Sequence, residues 1–476
     1  MNTLFRCDKK TNWRWLILLL AFLSACSQRG EPEEDECTFL PYAYQSGDWH
    51  RYDVIKLAGS AALNPNVQAR VDHQGMVHIF YYKWGEAYLG KQTRYQIYHL
   101  VWNPETTQIV GGEEQIAVQS PNPEDVVDSG LDNCLVLDTA IDANGAPVVV
   151  YQGGDGPQAE GCTISMSQGE LMINRLSNAI WEEYLGLGIR GDVGPLNPFE
   201  VDGFIGGYAA IAIDSQNAIH LCAQHYDKFC DWNRLNYPDL LYVRQTSNQL
   251  GQYRATMEEH VDDYNIYNNG GGVQSDMGYY CQLILDSEDN PFIFYVGTPI
   301  LDGSEDKKRS LRMAVKLNGQ WAPECIETLD DWDVQWLSAA VDSASTPAAA
   351  YFMRNLGVDG KDPDHLRFAS RDSQGQWSIS VVDNTAQCGD FCSLSFDAWD
   401  RPAIAYYDIS ARDTTDRDHK DLKYAWFDGS DWQIETVATA GDIGQYNTLW
   451  FDPDGAPCIC TYELNEQQIV IFRKQA

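Results

Sequence analysis

Short runs of β-branched and aromatic residues, separated by turn residues, recur along most of the chain. The stretch from Cys388 to Thr439 contains four such runs, with turns after the first and after the third. Runs such as Val148–Val150 are apolar at every position rather than at alternate positions. A strand that is apolar on both faces has to be covered on both sides. The pattern therefore predicts four-stranded sheets that stack face to face.

The first turn of each copy has a fixed pattern that begins with an aspartate. Three residues later stands a residue that tolerates a left-handed or turn backbone, and five of the seven copies have proline five residues after the aspartate. The aspartates are Asp72, Asp142, Asp214, Asp286, Asp342, Asp397 and Asp452. Because a short carboxylate accepts backbone N–H bonds across such a turn, we interpret them as structural residues. Their spacings of 70, 72, 72, 56, 55 and 55 residues are typical of a β-propeller.

The last copy, from Tyr446 to Lys474, has three strands and lacks the fourth strand, which begins with tryptophan in other copies. A matching strand begins at Trp49, near the other end of the chain. An N-terminal strand that completes the final sheet removes an exposed edge and ties the ends together. We therefore predict an all-β fold over residues 44–476: a seven-bladed β-propeller with four-stranded antiparallel blades, the last blade closed by the N-terminal strand.

The first 25 residues have the layout of a signal peptide, with four basic residues before the apolar run Trp15–Ala25. The run is too short to span a bilayer. It ends in Leu23-Ser24-Ala25-Cys26, which resembles the lipobox of bacterial lipoproteins. That resemblance implies cleavage before Cys26, a lipid such as palmitate on Cys26, and anchoring in the cell envelope, with Ser27 pointing to the outer membrane of a Gram-negative bacterium. Residues 26–43 are then an acidic tether. A plain signal peptide is the alternative.

The chain is strongly acidic, with 33 basic and 69 acidic residues and a net charge of −36. This charge argues against nucleic acid as a partner and favours divalent cations. An acidic segment with Asp413, Asp416, Asp418 and Asp421 has ligands suited to Ca²⁺. Basic residues interrupt that segment, so a solvated acidic loop is the alternative. No other cofactor is expected.

Thirteen cysteines suit an exported protein. Cys7 lies in the predicted signal and Cys26 carries the predicted lipid, which leaves an odd number. The spacing allows disulfides between Cys222 and Cys230, between Cys134 and Cys162, and between Cys388 and Cys392.

An aromatic residue stands six positions before the turn aspartate in five copies, at the entry to the innermost strand. These residues are Tyr208, Tyr280, Trp336, Phe391 and Tyr446, hereafter the mouth aromatics. They predict a partial ring around one mouth of the central channel, and aromatic faces with polar rims suit sugars. The long connections between second and third strands should lie on the same side, which we call the loop-rich rim. The alternative is that the rings only pack beneath the connecting loops.

The segment Ser370–Trp377 resembles the Asp-box of sialidase-like propellers, with its Ser, Asp, Gly and Trp on a hairpin between third and fourth strands. Asn318–Trp321 and Gly429–Trp432 resemble it more loosely. The resemblance implies the propeller architecture over residues 44–476. The Asp-box is a folding motif in that superfamily, so it implies no activity. The arginine triad, acid and tyrosine nucleophile of sialidases have no residue-by-residue counterpart here. The chain also resembles propeller lipoproteins of Gram-negative bacteria.

No motif marks paired carboxylates or a nucleophile with its base, so no catalytic residue is assigned and an enzyme is the less favoured interpretation. We predict a binding or scaffolding module of the cell envelope, with a glycan or an envelope protein on the loop-rich rim and the lipid bilayer as a partner through Cys26. The alternative is a glycan-active hydrolase of sialidase-like ancestry, which requires charged side chains converging at the channel mouth. A purely structural protein would bury the mouth aromatics completely.

Overall fold

The computed structural model contains β-strands, the turns that join them and no helix in the part of the chain that it describes. Those residues are 48–57, 65–84, 95–116, 137–153, 170–177, 180–185, 188–189, 200–201, 203–227, 238–245, 255–262, 276–298, 309–329, 332–355, 364–372, 374–385, 387–409 and 420–475. Seven sheets of four antiparallel strands account for most of them, which confirms the predicted blade number and the predicted fold class. No helix in these ranges is long and apolar enough to cross a membrane.

The strands of each blade follow one another in the chain, except in the last blade. Blade 1 contains β2 (Gln68–Val71), β3 (Val77–Trp84), β4 (Tyr95–Asn103) and β5 (Gln108–Ile116); blade 2 contains β6 (Leu137–Ile141), β7 (Pro147–Gly153), β8 (Glu170–Ser177) and β9 (Ile180–Leu185). A short parallel pair, β10 (Gly188–Ile189) and β11 (Glu200–Val201), precedes blade 3. Blade 3 contains β12 (Gly203–Ile213), β13 (Ile219–Asp227), β14 (Pro238–Gln245) and β15 (Ala255–Asp262); blade 4 contains β16 (Asp276–Leu285), β17 (Pro291–Thr298), β18 (Arg309–Leu317) and β19 (Gln320–Leu329). Blade 5 contains β20 (Trp332–Val341), β21 (Pro347–Asn355), β22 (His365–Arg371) and β23 (Trp377–Asp383); blade 6 contains β24 (Cys388–Phe396), β25 (Pro402–Asp408), β26 (Asp421–Phe427) and β27 (Trp432–Ala438). Blade 7 contains β28 (Ile443–Phe451), β29 (Pro457–Glu463), β30 (Gln468–Lys474) and β1 (Trp49–Lys56).

The first strands of the blades form a closed inner ring. Each contacts the first strand of the next blade, in the order β2, β6, β12, β16, β20, β24, β28 and back to β2. The ring is closed by β1, which pairs antiparallel with β30 in blade 7, as predicted. The amide of Gln475 donates a hydrogen bond to the carbonyl oxygen of Asp48 at 2.7 Å, so the end of β30 and the start of β1 lie side by side.

The seven aspartate turns have one geometry. The Oδ1 atom of each turn aspartate accepts two backbone N–H bonds, from the residues two and four positions later, at 2.7 to 3.0 Å. The residue three positions after each aspartate has a positive φ, between 59° at Asp400 and 81° at Gly145. The prediction that these aspartates shape the turns is therefore confirmed. We call this side of the ring the aspartate rim.

The turns of neighbouring blades are also connected along the aspartate rim. The Oγ atom of Ser215 donates to Asp289 at 2.5 Å, and Ser343 donates to Asp400 at 2.6 Å. Between those pairs, the Oγ atoms of Ser287 and Ser345 lie 3.0 Å apart. In each case the residue after one turn aspartate contacts the left-handed residue of the next turn. The repeated turn therefore shapes its own blade and also joins it to the next one.

The segment that resembles an Asp-box lies on the turn between β22 and β23, as the resemblance implies. Asp372 accepts from the amides of Gln374 and Gln376, both at 2.8 Å. Trp377 then packs edge-on against Phe294 of blade 4 and donates from Nε1 to Glu324 at 3.1 Å. The motif thus forms a hairpin and attaches it to the preceding blade, which is a structural role.

Candidate functional site

The mouth aromatics lie in the half of the inner strands that is nearer the loop-rich rim. Phe391 is the fourth residue of β24, whose first residue pairs with Asp408 at the end of β25. The antiparallel register shifts at or beside each of the five aromatics, so every one of these strands has a β-bulge there. Tyr280, Phe391 and Tyr446 have positive φ values of 52°, 50° and 55°. A left-handed backbone is strained for an aromatic residue, and such strain is concentrated at functional sites.

The five rings form two contacting groups. Trp336, Phe391 and Tyr446 come from three consecutive blades, with centroids of Phe391 at 4.3 Å from Trp336 and 4.7 Å from Tyr446. Tyr208 and Tyr280 form the second group, with centroids 4.7 Å apart. All five side chains are partly exposed. The rings therefore lie in two groups on the inner strands, and the complete burial expected for a purely structural role is not observed. Ligand binding by these residues stays a prediction.

A polar network lies beside the larger aromatic group. Tyr407, whose ring centroid is 5.7 Å from that of Phe391, donates its hydroxyl proton to Asp442 at 2.5 Å. Gln445, the residue before Tyr446, donates to the same hydroxyl oxygen at 3.3 Å. Lys420 forms an ion pair with Asp442 at 2.9 Å. The aromatic surface therefore has a hydrogen-bonding edge, an arrangement that suits a polar ligand with an apolar face.

Asp390 is an ionisable residue where the equivalent positions of blades 5 and 7 have the neutral Gln335 and Gln445. Its Oδ1 atom is buried and has no hydrogen-bond partner among the described residues. Burial raises the pKa of Asp390 to about 7, against the opposing effects of the Phe391 amide and the Arg354 guanidinium. A carboxyl group that titrates near neutrality can exchange a proton with a ligand or a neighbour.

Arg354 is exposed at the end of β21 and interacts electrostatically with both Asp390 and Asp333. Asp333 pairs with Arg309 at 2.9 Å, and burial raises the pKa of Asp333. The Arg309 guanidinium lies over the ring of Tyr279 at 4.8 Å. Two carboxyl groups and two guanidinium groups from blades 4 to 6 therefore lie close to the mouth aromatics.

The remaining predicted site residues are mostly outside the described residues. These are Cys26, Cys134, Cys162, Cys230, Asp413, Asp416 and Asp418. Asp421 is described, and it starts β26, where it pairs with Asp408. Among the described residues no group of three His, Cys, Asp or Glu side chains has the arrangement of a metal site. The calcium site stays a prediction.

The predicted disulfide between Cys388 and Cys392 is wrong. Both are free thiols on β24, and they face different partners: Cys388 contacts the carbonyl oxygen of Asp383 at 3.4 Å, and Cys392 contacts that of Ala350 at 3.5 Å. Residues four apart on a strand are separated by about 13 Å, well beyond the Cα separation that a disulfide spans. Cys222 is a buried thiol. Cys230 lies outside the described residues, so the pairing of these two cysteines stays a prediction.

Sequence reasoning located the aromatics because they repeat, and it missed Asp390, Arg354, Asp333 and Arg309 because they do not. The available signal was the departure from the repeat: a carboxyl group at Asp390 where the two neighbouring blades, 5 and 7, have glutamine. Charged residues are common at loop ends, so only the folded arrangement reveals that these four come together.

Comparison with family models and with curated proteins finds no match. Solved structures do match. One is a polysaccharide lyase of family PL25, an ulvan lyase bound to -[GlcA(1-4)Rha3S]-, with a TM-score of 0.56 and 13% identity over 88% of this chain and 94% of that chain. Another is the polysaccharide lyase Uly1, with a TM-score of 0.52 and 9% identity over 89% of this chain and 91% of that chain. A Hadza microbial sialidase matches with a TM-score of 0.43 and 10% identity over 71% of this chain and 64% of that chain. At such identities the two lyases share the fold with this chain. The class that the structure defines is a seven-bladed β-propeller with four-stranded antiparallel blades.

Proposed function

We propose that this propeller binds a glycan at the channel mouth on its loop-rich rim and acts as a binding module of the cell envelope. The observation that carries the proposal is the set of mouth aromatics, all partly exposed and three held on a left-handed backbone. Aromatic faces stack on the apolar faces of sugar rings, while polar groups at the edge bind hydroxyls. Gln445, Tyr407 and Lys420 provide such an edge beside Tyr446 and Phe391. The two matching lyases act on polysaccharides, and this makes polysaccharides the first ligands to test.

The test is a glycan microarray that includes acidic polysaccharides, followed by calorimetry with the glycan that binds. Trp336→Ala and Tyr446→Ala should each weaken binding by about tenfold or more, since removing a central aromatic contact commonly costs about 2 kcal/mol and tenfold corresponds to about 1.4 kcal/mol. Trp399→Ala is the matched control, because Trp399 is 71% exposed on the aspartate rim and should leave binding unchanged. Equal binding by the wild type and both mouth variants overturns the proposed site, and binding of a protein ligand but no glycan overturns the ligand class.

A glycan-active enzyme is the second candidate, and a specific observation favours it. Asp333 and Asp390 both have raised pKa values because they are buried, and Arg354 lies near both. Such charged groups at the mouth are what an enzyme requires and a binding module does not. Asp390→Asn should then abolish depolymerisation of a bound polysaccharide and leave its dissociation constant within about threefold. A wild-type protein that binds the polysaccharide and leaves its chain length unchanged is a binding module.

The envelope location rests on Cys26 and is tested separately. Expression in a Gram-negative host with a radiolabelled fatty acid should label the wild type and leave Cys26→Ser unlabelled. The same substitution should move the protein from the outer-membrane fraction to the soluble fraction. Labelling that persists in Cys26→Ser excludes this residue as the acylation site.

A further inference from the structure

Two buried cysteines meet at the junction between blades 3 and 4. Cys222 lies on β13 and is 0% exposed, and Cys281 lies on β16 and is 2% exposed. Both belong to one hydrophobic cluster that fills the space between these blades. Both are free thiols in this structure, and the Cys281 side chain adjoins the Cys222 thiol.

The repeat places the equivalent positions in one hydrophobic cluster at five of the six other junctions. Cys222 is eight residues after its turn aspartate, Asp214, and Cys281 is five residues before the next one, Asp286. The five equivalent pairs that share a cluster are Phe80 with Leu137, Val150 with Ala209, Phe294 with Leu337, Ala350 with Cys392, and Cys460 with Val67; the sixth pair is Ala405 with Asn447. At the junction of blades 5 and 6, the Cys392 sulfur lies 3.5 Å from the carbonyl oxygen of Ala350. The fold therefore places the second strand of one blade against the first strand of the next at this level.

We propose that Cys222 and Cys281 form a disulfide that covalently joins blade 3 to blade 4. The two thiols lose two protons and two electrons as the S–S bond forms, and a disulfide such as oxidised glutathione takes them up and becomes two thiols. An oxidising compartment supplies that class of oxidant. Of the seven junctions, the one between blades 3 and 4 has cysteine at both positions.

The position of the bond gives it a consequence for the channel mouth. Cys281 directly follows Tyr280 in the bulge of β16. Cys222 pairs with Ala210, two residues after Tyr208 on β12. The rings of Tyr208 and Tyr280 are in contact at 4.7 Å. A bond between the two sulfurs therefore ties together the backbones that present these two tyrosines.

The environment also determines when the bond can form. Burial and the neighbouring Cys281 thiol raise the pKa of Cys222. The thiolate is the reactive species in disulfide exchange, so oxidation is slow once the blades have packed. The bond should therefore form while the chain folds, so the experiment starts from reduced, unfolded protein.

The protein is reduced, unfolded and refolded in a glutathione redox buffer, then alkylated and digested with trypsin without reduction. Cleavage after lysine and arginine places Cys222 in fragment 191–228, Cys230 in fragment 229–234 and Cys281 in fragment 255–307. Mass spectrometry should find fragment 191–228 linked to fragment 255–307, with a mass two hydrogens below the sum of the two reduced fragments. In addition, reductant should lower the melting temperature of the wild type, and Cys281→Ala should remove that dependence.

The matched control uses the equivalent junction of blades 5 and 6. Ala350→Cys puts a thiol opposite the native Cys392. Trypsin does not cleave the Arg401–Pro402 bond, so fragments 317–354 and 372–412 should become linked in this variant and stay separate in the wild type. The proposal is overturned if fragment 191–228 is linked to fragment 229–234 instead. It is also overturned if both native thiols are recovered alkylated, whether or not the Ala350→Cys variant forms its link.

Discussion

A tyrosine that repeats in the second strand shows how single residues connect the blades. Tyr406 is fully buried, and its hydroxyl donates to Asp383 of the preceding blade at 2.7 Å. Lys423, opposite Tyr406 on the next strand, completes the group with an ion pair to Asp383 at 3.6 Å. The same arrangement occurs with Tyr351, Glu327 and Arg367, and with Tyr295, Asp262 and Arg312. A buried hydroxyl without a partner is costly, so each tyrosine fixes the position of its neighbour's carboxylate.

The sequence revealed the repetition of this tyrosine and the apolar residues around it, because both follow from strand periodicity. It did not reveal the partners. Asp262, Glu327 and Asp383 lie at the ends of fourth strands, and the alignment of one blade with the next brings each to its tyrosine. These contacts between a tyrosine and a carboxylate of the preceding blade join residues 23 to 33 positions apart, at offsets that differ from blade to blade. A pattern within one repeat does not contain that information.

Buried histidines in blade 1 make stability depend on pH. The Nδ1 atom of His78 lies 3.0 Å from Nε2 of His99, and both side chains are buried. Burial, and then the neighbouring His78, lower the pKa of His99 to about 3. The unfolded chain therefore binds a proton below about pH 6.5 that the folded chain excludes. The stability from this group is fully present above that pH and is lost as the pH falls.

His99→Gln should accordingly weaken the pH dependence of unfolding. For one histidine that stays neutral in the folded state, the loss between pH 7 and pH 5 is about 2 kcal/mol. Urea unfolding at these two pH values measures it in the wild type and in the variant. The buried carboxyl groups with raised pKa values have the opposite effect, and they are present in both proteins, so they cancel in the comparison. The same change at the half-buried His50 is the control, and equal pH dependence in the wild type and His99→Gln would contradict the assignment.

At the scale of elements, the strand that closes the ring is held by its first residue. Trp49 is 2% exposed, and its indole packs against Tyr424 of blade 6 with centroids 5.4 Å apart. Its Nε1 atom donates to Glu435 at 2.8 Å, and Lys474 of the neighbouring strand pairs with the same carboxylate at 2.6 Å. Trp321 and Trp377 make the same bond to a glutamate of the preceding blade. The N-terminal strand therefore enters blade 7 with the contacts of an ordinary fourth strand.

Trp49→Ala should destabilise the propeller by about 3 to 5 kcal/mol, the usual cost of removing a buried tryptophan. Trp399→Ala removes an equally large side chain that is 71% exposed, and it should change stability by less than about 0.5 kcal/mol. The midpoints of guanidinium unfolding compare the two variants. Similar midpoints for both would mean that β1 does not close the ring.

Among the elements, the strands and turns were predictable and the bulges were not. Alternating turn signals and apolar runs indicate where a strand begins, and the matching sequence at Trp49 indicated the closing strand. A bulge at Tyr280 or Phe391 depends on how the inner strand curves around the channel, and an aromatic residue gives no local sign of a left-handed backbone. The prediction of the mouth therefore named residues and lacked the conformation in which the fold presents them. The prediction of a Cys388–Cys392 disulfide was wrong for a related reason, because residues that are four apart in sequence are far apart in space when they lie on one extended strand.

At the scale of the whole molecule, the first and last strands meet on one rim of the propeller, and the candidate site lies toward the other rim. β1 begins and β30 ends at the aspartate rim, because fourth strands start there and third strands finish there. The mouth aromatics lie toward the opposite rim. The ring has seven blades with equivalent junctions between them. Within blade 7, the third strand, β30, and the fourth strand, β1, are not consecutive in the chain. Stability should therefore depend on which strands are interrupted and very little on which blade contains the interruption.

A circular permutant of residues 48–475 tests this equivalence. Gln475 is joined to Asp48 by a short linker, which their hydrogen bond of 2.7 Å permits, and new ends are opened between Gln374 and Gly375 in the β22–β23 turn. Blade 5 then takes the role of blade 7, with β23 as the N-terminal closing strand, so the permutant should unfold cooperatively and within a few degrees of unpermuted 48–475. Opening the chain between Phe368 and Ala369, inside β22, interrupts a buried strand and should abolish cooperative unfolding. If the first permutant fails to fold while unpermuted 48–475 folds, closure by β1 is special to blade 7 and the junctions are not interchangeable.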